Sequence, residues 1–316
     1  MKTIEKREFN SKILLFGEYS ILCGSMALSV PFEKFKGLLC FPEKEPLSAN
    51  DKISNEQIKE FLEFIKILNQ ENQLQWEFDT WRLSKDVEAG LLFKSNIPIG
   101  YGLGSSGALV AALCNTYCES VPGSKEISSE KLQEMKSFFS ILESFFHGKS
   151  SGLDPLVSFL NQAVLVSGNN KIEAYLNDRE DDERGGAVFL IDSGKSGKTQ
   201  DLVNDFRKKC EIDSFKKNLE NHLIPSVNSA ILSFKASDKG KLFSEIEKIS
   251  EFQLNNFSRM VPDSVTKIWQ EGLNGKRYFL KLCGSGGGGM MLGFTTDFAE
   301  VKMQLSDFKP IRVQNL

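Results

Sequence analysis

The chain has 316 residues, 41% hydrophobic and 26% charged, with 39 basic against 42 acidic side chains and a formal net charge of -3. That length holds two domains with separate cores, and that charge offers no electrostatic footprint for nucleic acid or an anionic membrane. No apolar run reaches the ~20 residues of a membrane span, and Met1 to Glu8 lack the apolar centre of a signal peptide.

Six cysteines without a Cys-x-x-Cys spacing are expected as buried, reduced thiols in a cytoplasmic protein, and two histidines are too few for a zinc centre. Read from the N-terminus, Ile13 to Phe16 is an apolar run expected as a buried strand, entered by Lys12 and left through Gly17-Glu18. Ala27 to Phe32 and Lys36 to Phe41 read as two further strands. Ile58, Leu62, Ile65 and Leu68 recur at helical spacing. Trp76 to Leu83 alternates as a strand would, with both tryptophans expected in packing.

Leu91 to Phe93 leads, as a strand, into Pro98-Ile-Gly-Tyr-Gly-Leu-Gly-Ser-Ser-Gly107 and an Ala/Leu/Val-rich helix. Glycines at 100, 102, 104 and 107 let the backbone turn N–H groups inward, and Ser105 and Ser106 stand where the helix starts. Such a loop suits a phosphate chain, though a serine-capped turn has the same residues. Two familiar phosphate loops are disfavoured. The lysine of a P-loop is absent, since Ala108 follows Gly107. Gly102-Leu-Gly-Ser-Ser-Gly107 lacks the second strand of a dinucleotide-binding unit.

A second helix, Ser128 to Phe146, turns Leu132, Met135, Phe138, Phe139, Leu142 and Phe146 inward. Glu143 lies among them, as an edge residue or with a cationic partner, because an unpaired buried carboxylate is costly. The chain then turns through His147-Gly-Lys-Ser-Ser-Gly-Leu-Asp154-Pro155. Ala163 to Val166 and Ala187 to Asp192 read as strands, separated by a charge cluster, Asp178 to Arg184, expected as a solvated tip. Gly194 to Thr199 is a polar loop for a phosphate or simply a turn. Helical patterns cover roughly 202–210, 215–234 and 240–257. Tyr278 to Cys283 then enters Gly284-Ser-Gly-Gly-Gly-Gly289 and leaves through Met290 to Phe294. Successive glycines between strands imply close backbone approach, to a ligand or to another loop.

Three separated motifs, Lys12-Ile-Leu-Leu-Phe-Gly-Glu-Tyr19, Pro98 to Gly107 and Lys281-Leu-Cys-Gly-Ser-Gly-Gly-Gly-Gly289, together resemble the GHMP kinases, in the right order and with the right flanking strands. The resemblance implies an α+β fold of two domains, residues 1–175 and 176–316. The first would be a ribosomal-protein-like α+β domain, the second ferredoxin-like, with the active site in the cleft between them. It implies an ATP-dependent small-molecule kinase that uses Mg²⁺, and a homodimer as possible assembly.

Within that superfamily the chain looks most like the mevalonate kinase branch, whose pattern places a glutamate 11 residues before the aspartate of a His-Gly-x-x-Ser-Gly-x-Asp turn, as Glu143 and Asp154 are here. By that match Ser106 and Glu143 would hold Mg²⁺, Asp154 would be the base and Lys12 would sit beside it. Gly102, Leu103, Gly104, Ser105, Ser106 and Gly107 would bind ATP. Glu18, Tyr19 and Thr199 would lie next to substrate, and Gly284, Gly286, Gly287 and Gly288 would support the loop. Asn10-Ser11 and Tyr19 depart from the branch, and Gly-Glu-Tyr also occurs in phosphomevalonate kinases, which leaves the acceptor open.

Overall fold

The computed structural model describes residues 4, 6–42, 48–123, 127–168, 171–176, 185–195 and 199–316, apart from the side chains of residues 199 and 200. The charge cluster Asp178 to Arg184 lies outside the described residues.

Two antiparallel sheets organise the chain. The first is built on β2, Ala27–Cys40, 14 residues long. β1, Phe9–Phe16, runs along one edge of it, while β4, Ala163–Val166, and β3, Leu92–Ser95, share the other edge at opposite ends. β5, Ile172–Tyr175, completes the sheet beside β4. The two strands expected over 27–41 are therefore one. Asn10 pairs with Lys36 but the adjacent Ser11 pairs with Phe32, so a bulge takes up the residues that read as a break.

Helices cover this sheet. α1, Ala49–Gln70, is capped by Ser48, which accepts from the Asp51 N–H, and it buries Ile58, Phe61, Leu62, Ile65 and Leu68. α2, Thr80–Glu88, replaces the strand expected over 76–83. Only the extended stretch to Asp79 alternates; there the Asp79 side chain accepts the Arg82 N–H and starts a helix that buries Leu83 and Val87. Trp76 packs edge-on against Phe138, whereas Trp81 is 68% exposed and is no core residue. α3, Ser105–Tyr117, is almost wholly buried. α4, Ser129–His147, starts at the expected serine, Ser128. α5, Leu153–Leu160, takes Asp154 into its first turn.

The second sheet has the order β7-β8-β6-β9, from Tyr278–Leu282, Met290–Thr295, Ala187–Asp192 and Ile311–Asn315. Between β6 and β7 run α6 (Thr199–Cys210), α7 (Asp213–Asn218), a π-helical turn (Leu219–Leu223), α8 (Ile224–Lys235), α9 (Lys239–Asn256) and α10 (Asp263–Gly275). α11, Phe298–Gln304, joins β8 to β9. This is a β-α-β-β-α-β sequence with the first and third strands central, the ferredoxin-like arrangement. α10, α11 and β9 escaped the sequence reading.

The sheets meet through Phe16, which stacks on Phe294 at 5.5 Å and meets Phe234 edge-on at 6.1 Å. Tyr19 packs on Phe206, and Cys23 Sγ lies 3.7 Å from Cys210 Sγ across the same seam. None of the six cysteines forms a disulfide.

Candidate active site

β1 delivers Lys12 to the glycine loop. The Lys12 N–H donates to the Leu103 carbonyl at 3.0 Å, so strand and loop are tied at the backbone. Leu103 itself is buried and contributes that carbonyl rather than its side chain. Gly104 caps α3 with φ of 75°, and a Cβ there would lie 2.9 Å from Lys12 Cγ. Any side chain would displace the lysine. Lys12 Nζ reaches Asp154 Oδ1 at 3.0 Å. Burial works against the ammonium, but Asp154, with Cys283 and Glu143, outweighs it and holds Lys12 above the ordinary lysine value.

Gly107 explains how Asp154 arrives there. A Cβ at Gly107 would meet Pro155 N at 2.8 Å and the Asp154 carbonyl carbon at 2.9 Å, so α3 and the start of α5 touch backbone to backbone. The Ser105, Ser106 and Gly107 amides open a 13-residue helix and have no intrahelical acceptor. Together with the positive end of the helix they suit an anion.

Beside them stands Glu143 on α4, 3% exposed. Ser106 Oγ donates to its Oε1 at 3.4 Å and lies 3.0 Å from His147 Nε2. Ser150 Oγ donates to the other oxygen, Oε2. Burial and the nearby Asp154 push the Glu143 carboxyl up to about 8, against the pull of Ser150, Lys12 and Ser106.

The third motif meets the second. A Cβ at Gly102 would sit 2.7 Å from the Cys283 carbonyl oxygen, and one at Gly289 would sit 2.7 Å from Tyr101 Cα. Gly284 lies against Gly102, while Gly286 and Gly287 fold onto Met260 and Leu202. Gly288 continues the same turn with φ of 150°. Of the two readings for these glycines, loop against loop is what the fold uses.

Glu18 and Tyr19 lie in the same seam. The Glu18 carboxylate is buried and ion-paired with Lys281, and the Tyr19 hydroxyl donates to the Ser285 carbonyl. Both therefore bind elements of the other sheet. Thr199 opens α6, and its side chain lies outside the described residues.

A profile for the GHMP kinases N terminal domain matches residues 64–162, the segment that carries the glycine loop, Glu143 and Asp154. Over those residues the chain is similar to the GHMP kinases. Mevalonate kinase from Pyrococcus furiosus is 25% identical over 311 residues, covering 89% of this chain and 86% of that one. Among solved structures, L. major mevalonate kinase in complex with R-mevalonate superposes with a TM-score of 0.63 at 17% identity, covering 99% of this chain and 97% of the other. Streptococcus pneumoniae phosphomevalonate kinase in complex with phosphomevalonate and AMPPNP gives 0.62 at 14% identity, covering 98% and 100%. These likenesses extend the two-domain GHMP kinase fold over nearly the whole chain.

The oxygen pair of Ser106 and Glu143 has the hardness Mg²⁺ requires. No cage of three or more metal-ligating side chains occurs among the described residues. Mg²⁺ in nucleotide sites typically takes one or two protein oxygens and completes its shell with phosphates and water. The residues present fit that use. Two residues with consequences for the site were not singled out from sequence, Ser150 and Lys281. Ser150 looked like one more turn serine; Lys281 offered a signal, a lysine inside the otherwise apolar run Tyr278 to Cys283.

Proposed function

We propose that this protein is a GHMP kinase, and within that family a mevalonate kinase, transferring the γ-phosphate of ATP to the 5-hydroxyl of mevalonate. The observation that carries this reading is the Lys12–Asp154 pair at 3.0 Å, set at the edge of the α3 amides and next to Ser106 and Glu143. Asp154 accepts the proton of the acceptor hydroxyl as its oxygen bonds to the γ-phosphorus and the bond to the ADP oxygen breaks. Lys12 keeps Asp154 ionised and offsets charge developing on the reacting oxygens. The amides of Ser105, Ser106 and Gly107 hold the phosphates in line, since phosphoryl transfer depends mainly on alignment and charge neutralisation. Ser106 and Glu143 would hold Mg²⁺, which neutralises triphosphate charge when bound.

The same reading divides the chain after residue 175, between the last strand of the first sheet and the first strand of the second. It places the protein in the cytoplasm as a homodimer, with ATP and a small alcohol as its ligands and neither nucleic acid nor membrane as partner. No helix among the described residues is long and apolar enough to cross a membrane.

The test is ADP formation from Mg-ATP with mevalonate, phosphomevalonate, homoserine and galactose in parallel. Mevalonate is expected to give the strongest signal. Silence with mevalonate and turnover with another acceptor overturns the substrate, carbon dioxide release indicates a decarboxylase, and ligand binding without ADP indicates a sensor. Asp154→Asn is expected to lower kcat by about 10²–10⁴-fold with ATP affinity near wild type. Near-normal turnover in that variant removes the role given to Asp154.

A further inference from the structure

The turn between α4 and α5 carries a hydroxyl that is held from three sides. Ser150 Oγ donates to Glu143 Oε2, and it accepts the Gly152 N–H at 3.0 Å. The Ser150 carbonyl in turn accepts from Ser140 Oγ on α4 at 2.7 Å. A serine with its backbone and its acceptor site both fixed has one direction left for its proton, and that direction is Glu143. The other carboxylate oxygen, Oε1, faces Ser106. The carboxylate is thus pinned by one oxygen and offers the other.

We infer that Ser150 is a positioning residue for the cation site, orienting Glu143 so that Oε1 and the Ser106 hydroxyl face one point. The inference rests on the reading of Ser106 and Glu143 as Mg²⁺ ligands. Its physical basis is that hydrogen bonds to a ligating carboxylate fix its rotamer, and losing such an outer partner typically weakens metal binding. Among the described residues Glu143 makes no direct ion pair, Lys12 acting on it only through its field, so without Ser150 its Oε2 loses the donor that orients it.

The probe is Mn²⁺, titrated into the full-length protein with a non-hydrolysable ATP analogue and followed by the electron paramagnetic resonance signal of unbound Mn²⁺. Ser150→Ala is expected to raise the Mn²⁺ dissociation constant by about 10–100-fold. Ser150→Thr, which keeps the hydroxyl, is expected to restore it. Affinity for the analogue without divalent cation is expected to match wild type in both, which a general loosening of the turn would not allow. If Glu143→Ala loses Mn²⁺ while Ser150→Ala binds it as wild type does, the role of Ser150 is overturned and the ligand assignment stands. If Glu143→Ala also binds Mn²⁺ normally, both fall.

Discussion

Cys283 directly follows β7 at 2% exposure, within the fields of Lys12, Lys281, Glu18 and Asp154. Burial pushes its thiol up to about 11, although both lysines pull the other way. Only the thiolate alkylates, so at pH 8 roughly one Cys283 in 10³ is reactive, against about a quarter of an ordinary cysteine. Iodoacetamide at pH 8 is therefore expected to label the partly exposed Cys23 and Cys40 well before Cys283, read by peptide mass mapping. Between pH 7 and pH 10 the Cys283 rate should climb about tenfold per unit, while an ordinary thiol levels off near pH 9. Labelling of Cys283 at the Cys40 rate at pH 8 would contradict this burial. At this scale Lys12, Ser106, Glu143 and Asp154 were named through the family resemblance of the motifs that contain them. The sequence could not name Ser150, whose role depends on which way a turn folds back over α4.

The contact of α3 with α5 is the element on which the site hangs. Gly107 lets two backbones touch, and an added methyl would press on Pro155 N and the Asp154 carbonyl carbon, neither of which can rotate away. Gly107→Ala is expected to cost about 1–3 kcal/mol, as overpacking does, and to displace Asp154 from Lys12. The expected signature is a lowered Tm and a kcat that falls more than the KM for ATP rises. Gly123→Ala, with nothing within 4 Å of the new atom, is the silent comparison. A Gly107→Ala enzyme with wild-type kcat would show that the two helices have slack.

Elements with one dominant period were legible: the apolar runs of β1, β6, β7 and β8, and the helical spacing of α1 and α4. Trp76 to Leu83 misled because a short extended stretch joins a helix at Asp79, and the alternation of the first part masks the cap. Ala27 to Cys40 misled because a bulge looks like a gap when the partner strand is unknown.

Across the whole molecule, the buried Glu18–Lys281 pair joins the turn after β1 to the second sheet, a partnership 263 residues apart in the chain. Lys281 also donates to the Leu282 carbonyl at 2.8 Å. Motif spacing could not reveal this pair, since each member was read inside its own motif. Burial pushes the Glu18 carboxyl above its ordinary value even with Lys281 beside it, so the pair holds charge in a place that resists it. Lys281→Met leaves that carboxylate without its partner, and breaking a buried pair this way costs about 3–5 kcal/mol. Replacing both, as Glu18→Gln with Lys281→Met, removes the stranded charge and is expected to recover a large part of the loss.

The pH dependence has a definite sign. In Lys281→Met the Glu18 pKa rises further, so the folded state takes up a proton that the unfolded chain, with a carboxyl near 4.5, does not. Folding is helped by that proton near pH 5 and loses its help as pH rises. Urea unfolding of Lys281→Met should therefore show a larger deficit against wild type at pH 8 than at pH 5, and the double variant should show little change in deficit between them. An equal deficit at both pH values would mean that Lys281 contributes by filling space along β7 rather than by neutralising Glu18.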